Sequence, residues 1–305
     1  MIAVLASLAP IFIVILLGWW FRRWQFVPDG FWMSAERITF YLFFPALLIT
    51  NIAKADLAGL QVIPMLSGSI IAITIVVAAA YLLWRPLGID GPAFTSLVQS
   101  AVRPNVYVAL AAAVALYGET GLTLVSLCLA VIVPFVNAIA VVVLIRYASP
   151  AGKPLRWRQM IAPVLQNPLI LACFAGLALN GLGVGLPPII GPTLEILGRA
   201  SLPIALLAVG AGLDFGAARA AGRVVGVACI LKLVVLPLLT IGACTALGSD
   251  RIATAVAVLY ASVPISVSAY VMARQMGGDA NIMAGTITAS TIAAMVTMPA
   301  VLMLV

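Results

Sequence analysis

Two stretches decide the fold: AFTSLVQSAVRPNVYVALAAAVALY at residues 93–117 and IATAVAVLYASVPISVSAYVMAR at residues 252–274. Each is apolar and long enough to cross a bilayer, for which roughly 20 residues suffice. Each also carries a proline near its centre, Pro104 in the first and Pro264 in the second. A mid-helix proline removes one amide donor and frees the carbonyl four residues earlier. In hydrocarbon such groups are tolerated only against protein or beside a water-filled cavity. A single proline of this kind is read as a kink; a matched pair with polar neighbours points to two interrupted helices around a transport site.

The match extends outward along the chain. At an offset of 158, Pro10 meets Pro168, Gly18 meets Gly176, Pro45 meets Pro203 and Asp56 meets Asp214. At an offset of 160, Gly88 meets Gly248, Asp90 meets Asp250, Pro104 meets Pro264, Gly118 meets Gly278 and Glu119 meets Asp279. Prolines, glycines and acids do not align through apolar bias alone. The sequence therefore reads as two repeats, residues 1–147 and 159–305, joined by a polar linker at 148–158.

Composition agrees with a chain that faces lipid. Of 305 residues 64% are hydrophobic and only 8% are charged, with a mean hydropathy of +1.22; a soluble domain carries about a quarter charged residues. Breaks in the apolar pattern give ten segments, at about 2–21, 32–52, 60–84, 93–117, 121–147, 159–180, 191–213, 220–247, 252–274 and 281–304. The first has no basic residue before it and is followed by Arg22 and Arg23, the wrong polarity for a cleaved signal, so it reads as a retained span. Cys128, Cys173, Cys229 and Cys244 lie singly in apolar runs and read as buried residues, not as a metal or redox site.

Loops after odd-numbered segments hold Arg22, Arg23, Arg37, Arg85, Arg146, Lys153, Arg156, Arg158, Arg219, Arg223 and Arg274, whereas those after even-numbered segments hold only Lys54 and Arg251. Eleven cations against two place both termini outside the cytoplasm and the linker within it. The net charge of +7 reflects this bias and does not require a nucleic-acid partner. Five spans per repeat is an odd number, so the second copy enters the membrane inverted, a design of secondary transporters.

Around the first proline stand Gln99, Ser100, Arg103 and Asn105; around the second stand Ser262, Ser266 and Ser268. No carboxylate flanks either one. Amides, hydroxyls, helix N-termini and an arginine suit an anion. Arg103 costs about 2.5–3.5 kcal/mol at a helix centre, so it requires a partner, either a substrate carboxylate or carbonyls freed by the break. Asn51 and Asn137, each near a proline, either line the cavity or satisfy backbone between helices. Lys232 neutralises an acid, stands in for a coupling cation, or snorkels to an interface. Glu195 and Arg199, four apart on one helix, read as a local ion pair.

The Arg103-Pro104-Asn105 run, the Gly118-Glu119 and Gly278-Asp279 turns, the Asn167-Pro168-Leu169 opening of the second half, and the stretch from Leu202 to Phe215 with Pro203, Gly210, Gly212 and Asp214 together resemble the auxin efflux carrier family over essentially the whole chain. The resemblance implies an all-α polytopic membrane protein of ten transmembrane helices, two inverted five-helix repeats whose fourth and ninth helices are broken and cross at their prolines. This is the arrangement of sodium/proton antiporters and bile-acid transporters. It implies a bacterial cytoplasmic-membrane carrier for a small organic anion such as malate, malonate or an auxin-like acid. The substrate-contacting asparagine of the plant proteins carries over to Asn105. The long cytoplasmic loop of many plant members is absent, so auxin itself is not implied. The candidate site is Asn105, Pro104, Arg103, Pro264, Ser262, Ser266, Asn51 and Asn137, with no cofactor or metal. The expected partners are the bilayer, the anion and, as an option for the scaffold helices, a second copy of the chain.

Two rival classes are weighed against this, alongside a passive channel, which the pair of interrupted helices disfavours. A cation/proton antiporter would want titratable carboxylates at the breaks. An intramembrane hydrolase would want a Ser-His or HExxH site, and the chain has no histidine.

Overall fold

The computed structural model describes residues 2–57, 60–148, 166–220 and 222–305. Nearly all of the expected linker and the start of the sixth expected segment lie outside these residues. The described chain is helical, without a strand: α1 (Ile2–Arg23), α2 (Asp29–Ile38), α3 (Phe44–Lys54), α4 (Val62–Leu87), α5 (Gly91–Val102), α6 (Val106–Tyr147), α7 (Pro168–Leu182), α8 (Ile190–Ala211), α9 (Phe215–Ala220), α10 (Gly222–Ile230), α11 (Leu236–Ala246), α12 (Arg251–Ser262), α13 (Ser268–Met276) and α14 (Ala280–Leu302). Among the described residues, six helical stretches are long and apolar enough to cross a membrane: Val4–Arg23, Val62–Leu87, Val106–Tyr147, Ile190–Ala211, Gly222–Ala246 and Ala280–Leu302. Large apolar side chains such as Ile63 and Leu82 are almost fully exposed, at 79% and 78%, as a lipid-facing surface requires. The molecule is a multi-pass membrane protein.

Some apolar segments, two of these six stretches among them, are subdivided, and each subdivision has a local cause. An unbroken α6 would be roughly 63 Å long, about twice the hydrocarbon thickness. Its backbone in fact leaves helical geometry at Gly118, where φ is +57° and ψ is −142°, a conformation open to glycine and strained for other residues. The break falls at the junction expected between the fourth and fifth segments. α2 and α3 are continuous through a wide π turn at Thr39–Phe43, and α10 and α11 through another at Leu231–Val235. Both turns stand just before a proline, Pro45 or Pro237. At each, the amide that ends the turn reaches back five residues, from Phe44 to the Thr39 carbonyl and from Leu236 to the Leu231 carbonyl. That shift of register lets a helix carry a proline without being severed.

Packing tracks the small residues. α1 and α8 pack along each other, and a Cβ placed on Gly210 would overlap the Ile15 carbonyl, as one on Gly18 would overlap that of Leu207. Backbones of membrane helices approach this closely only where side chains are missing. The ion pair expected between Glu195 and Arg199 is not formed. Glu195 pairs with Lys54 at the end of α3, because α3 packs against α8 and brings a cation to the free side of the carboxylate.

Candidate functional site

The two prolines interrupt their helices and bring the interruptions together. A residue before proline is pushed out of the helical region. Arg103 (φ −80°, ψ 112°) is accordingly extended after α5, and Val263 (φ −65°, ψ 153°) after α12. The two extended segments pair as an antiparallel bridge between Pro104 and Ile265. The Asn105 amide donates to the Pro264 carbonyl at 2.8 Å, and the Ser266 amide donates to the Arg103 carbonyl at 3.4 Å. The Ile265 amide donates to the Ser290 hydroxyl at 3.1 Å. Each break thus satisfies much of the backbone freed by the other.

Equivalent side chains start the helices on either side. Asp90 accepts from the Ala93 amide at the head of α5, and Asp250 from the Ala253 amide at the head of α12. These acids, matched at the offset of 160, are N-caps.

Beside the first break lies a cavity of about 240 Å³, smaller than the roughly 300–1,000 Å³ of drug-sized ligand sites. Four residues of the candidate site border it, Arg103, Asn105, Asn137 and Ser266, and so does Ser268 beside the second proline. Arg103 is only 7% exposed. Its guanidinium donates to the Asn137 side-chain carbonyl at 2.9 Å, to the Gln99 side-chain carbonyl at 3.3 Å and to the Ser268 hydroxyl at 3.4 Å, and it touches the Met272 sulfur at 3.2 Å. All of these partners are neutral. The ion pairs among the described residues are Arg22–Asp29 and Lys54–Glu195, so the guanidinium has no carboxylate of its own there.

Asn105 divides its side chain between two tasks. Its oxygen accepts from the Tyr107 and Val108 amides at 3.1 and 3.3 Å, capping α6. Its amide nitrogen is buried, with the residue 2% exposed, and has no hydrogen-bond partner among the described residues. Asn167 caps α7 in the same way, accepting from Leu169 and Ile170 at 3.0 and 3.4 Å, and it too borders the cavity. Two helix N-termini with their positive dipole ends therefore meet at one cavity beside a buried arginine.

The other sequence candidates stand apart from this lining. Pro264 contributes its carbonyl to the pairing. Pro104 borders a second void of about 10 Å³, together with Lys232. Ser262 is wholly buried and donates to the Leu259 carbonyl at 2.9 Å; Asn51 accepts from the Thr123 hydroxyl at 3.0 Å. Lys232 is 0% exposed and its ammonium donates to the Ala261 carbonyl at 2.8 Å. It neither snorkels nor meets an acid. It covers the carboxyl end of α12, where the Ala261 carbonyl lacks its helical donor because the Ile265 amide is turned to Ser290.

Among the polar lining residues, Glu36 and Tyr107 were not singled out from the sequence, and Asn167 was named only as part of the motif that opens the second half. Asn167 had a local signal, an N-cap type immediately before a proline. Glu36 had only its rarity, a single acid within an apolar segment next to Arg37. The absence of carboxylates beside the breaks holds along the chain and fails in space, since α2 carries Glu36 to the same cavity.

Interrupted helices paired at their breaks in a multi-pass membrane protein, beside a cavity lined in part by polar groups, suit a membrane transporter. The chain belongs to the membrane transport protein family, the group of auxin efflux carrier-like proteins, whose model matches residues 3–302. It is also similar to an uncharacterized transporter of Methanothermobacter thermautotrophicus, at 24% identity over 96% of this chain and 95% of that protein.

Proposed function

We propose that this transporter is a secondary carrier for a small organic anion, a mono- or dicarboxylate such as malate or malonate or an auxin-like acid, working by alternating access across the cytoplasmic membrane. The observation that carries the reading is the buried Arg103 guanidinium. Its described partners are all neutral, and it shares its cavity with the free amide donor of Asn105 and two helix N-termini. A buried cation without a counter-ion is unfavourable, and a bound carboxylate supplies the missing charge. On this reading Arg103, Asn105, Asn137 and Ser266 contact the anion. Pro104 and Pro264 hold the breaks, and Ser262 and Asn51 support the walls.

The same reading takes the chain as ten spans in two inverted repeats whose fourth and ninth helices cross at the prolines. The matched N-caps Asp90 and Asp250 support it. The cation bias puts both termini outside and the linker inside. A cysteine placed at Ala151 is therefore expected to resist an impermeant thiol reagent added outside intact cells, and labelling from outside would reverse the topology.

Counterflow in proteoliposomes tests the function. Vesicles loaded with unlabelled malate or malonate are expected to take up the labelled acid transiently above equilibrium, which a channel does not do. The same acids are expected to raise the melting temperature of the purified protein, by an amount set by concentration over Kd. The presence of Glu36 in the cavity gives one argument for the rival cation/proton antiporter. Failure of every small carboxylate in both assays, with proton flux driven by a cation gradient, would favour that rival.

A further inference from the structure

Glu36 sits badly in an anion site. Of the chain's nine acids it is the one that borders the cavity, and its carboxylate makes no hydrogen bond or ion pair with a described residue. Opposite charges at Glu36 and Arg103 thus line one small space without pairing. A carboxylate ligand that reaches Arg103 and the Asn105 amide enters the field of a second carboxylate. Two like charges in one small cavity repel each other.

We propose, resting on the anion-carrier reading, that Glu36 is the coupling-proton site and that the protein moves one proton with each anion. A proton from water bonds to a carboxyl oxygen of Glu36 as the anion binds. That step removes the repulsion and turns an acceptor into a donor facing the ligand. After access switches, the O–H bond breaks, the proton returns to water on the far side and the anion leaves; nothing is oxidised or reduced. Because each binding event favours the other, the coupling is reciprocal.

The surroundings single out this group. On α2 itself, Asp29 is paired with Arg22 of α1 and Arg37 is exposed. α8, which packs against α2, carries Glu195, engaged by Lys54, and Arg199. From α6 comes Tyr107, whose ring stacks on Phe44 at 4.8 Å, and from the α5–α6 link comes Arg103. α7 is preceded by the uncharged Asn167, and α13 carries Arg274 beside the Tyr270 ring. The chain has no histidine. Glu36 is thus the one carboxylic acid lining the cavity.

The test uses the full chain in proteoliposomes with labelled malate and the membrane potential clamped. An inward proton gradient of one pH unit is expected to drive accumulation of up to about tenfold in the parent protein, without sodium. Glu36→Gln imitates the protonated state, so it is expected to keep malate counterflow and lose gradient-driven accumulation; Glu36→Asp is expected to keep both. Accumulation by Glu36→Gln on a proton gradient would overturn the proposal, as would loss of its counterflow with the fold intact. Independently of any variant, malate added to the unbuffered parent protein in detergent is expected to draw protons from the medium. Binding without proton uptake would overturn the coupling and leave the anion reading standing, whereas absence of malate binding and counterflow in the parent would remove both.

Discussion

Exchanging Asn105 for Asp is expected to abolish carboxylate binding while leaving the protein folded. The oxygen of Asn105 caps α6 through the Tyr107 and Val108 amides, and Asp caps a helix as well as Asn does. The other half of the side chain changes entirely. The buried amide donor becomes a carboxylate oxygen that faces the ligand's own negative charge. Two like charges about 4 Å apart at an effective dielectric of about 20 repel by about 4 kcal/mol, roughly a thousandfold in affinity. Asn105→Ala removes the donor without adding charge, at about 1–3 kcal/mol of binding, and it also loses the cap, which costs about 1 kcal/mol of stability. Titration calorimetry with malonate or malate separates the two. If Asn105→Asp binds as tightly as the parent, the anion does not sit at this break.

Arg103→Gln is the second large expected effect, and its sign in the empty protein is informative. Loss of a charge-assisted hydrogen bond removes about 1.5–3 kcal/mol, roughly ten- to over a hundredfold in Kd. The ligand-free protein is not expected to melt earlier. The guanidinium bonds to neutral groups on Asn137, Gln99 and Ser268, and relieving a buried charge without a counter-ion offsets the bonds lost. A purely structural arginine would give the reverse pattern. Unchanged affinity with a lower melting temperature would therefore reject its role in binding.

Both residues are legible in the sequence because their signals are local. A proline dictates the extended residue before it, an asparagine after a proline is placed to cap the next helix, and an arginine in an apolar stretch announces itself by its burial cost. Gly118 is legible for the same reason, as is the match of Asp90 with Asp250. The hidden features depend on which helices become neighbours. Glu36 lies far along the chain from Arg103, and nothing near it says that α2 will border the break. A spacing of four describes one helix and is silent about Lys54 on another, so it points Glu195 to the wrong partner. Lys232 has three open readings until the turn of the Ile265 amide toward Ser290 exposes the carbonyl it covers. The π turns are not legible either, since a proline says only that a bond is lost, not how the helix absorbs the loss.

The wide turn at Thr39–Phe43 fixes a compass bearing. Each residue advances a helix by about 100° around its axis, so one surplus residue in a turn swings everything before it by that angle relative to everything after it. Glu36 stands three residues upstream of the turn, while Pro45 and the face of α3 that packs on α7 and α8 stand downstream. The azimuth of the carboxylate is therefore set by a single extra peptide unit in the turn. Removing one residue from that turn would leave α3 seated where it is and point Glu36 more than a quarter of a revolution away from Arg103.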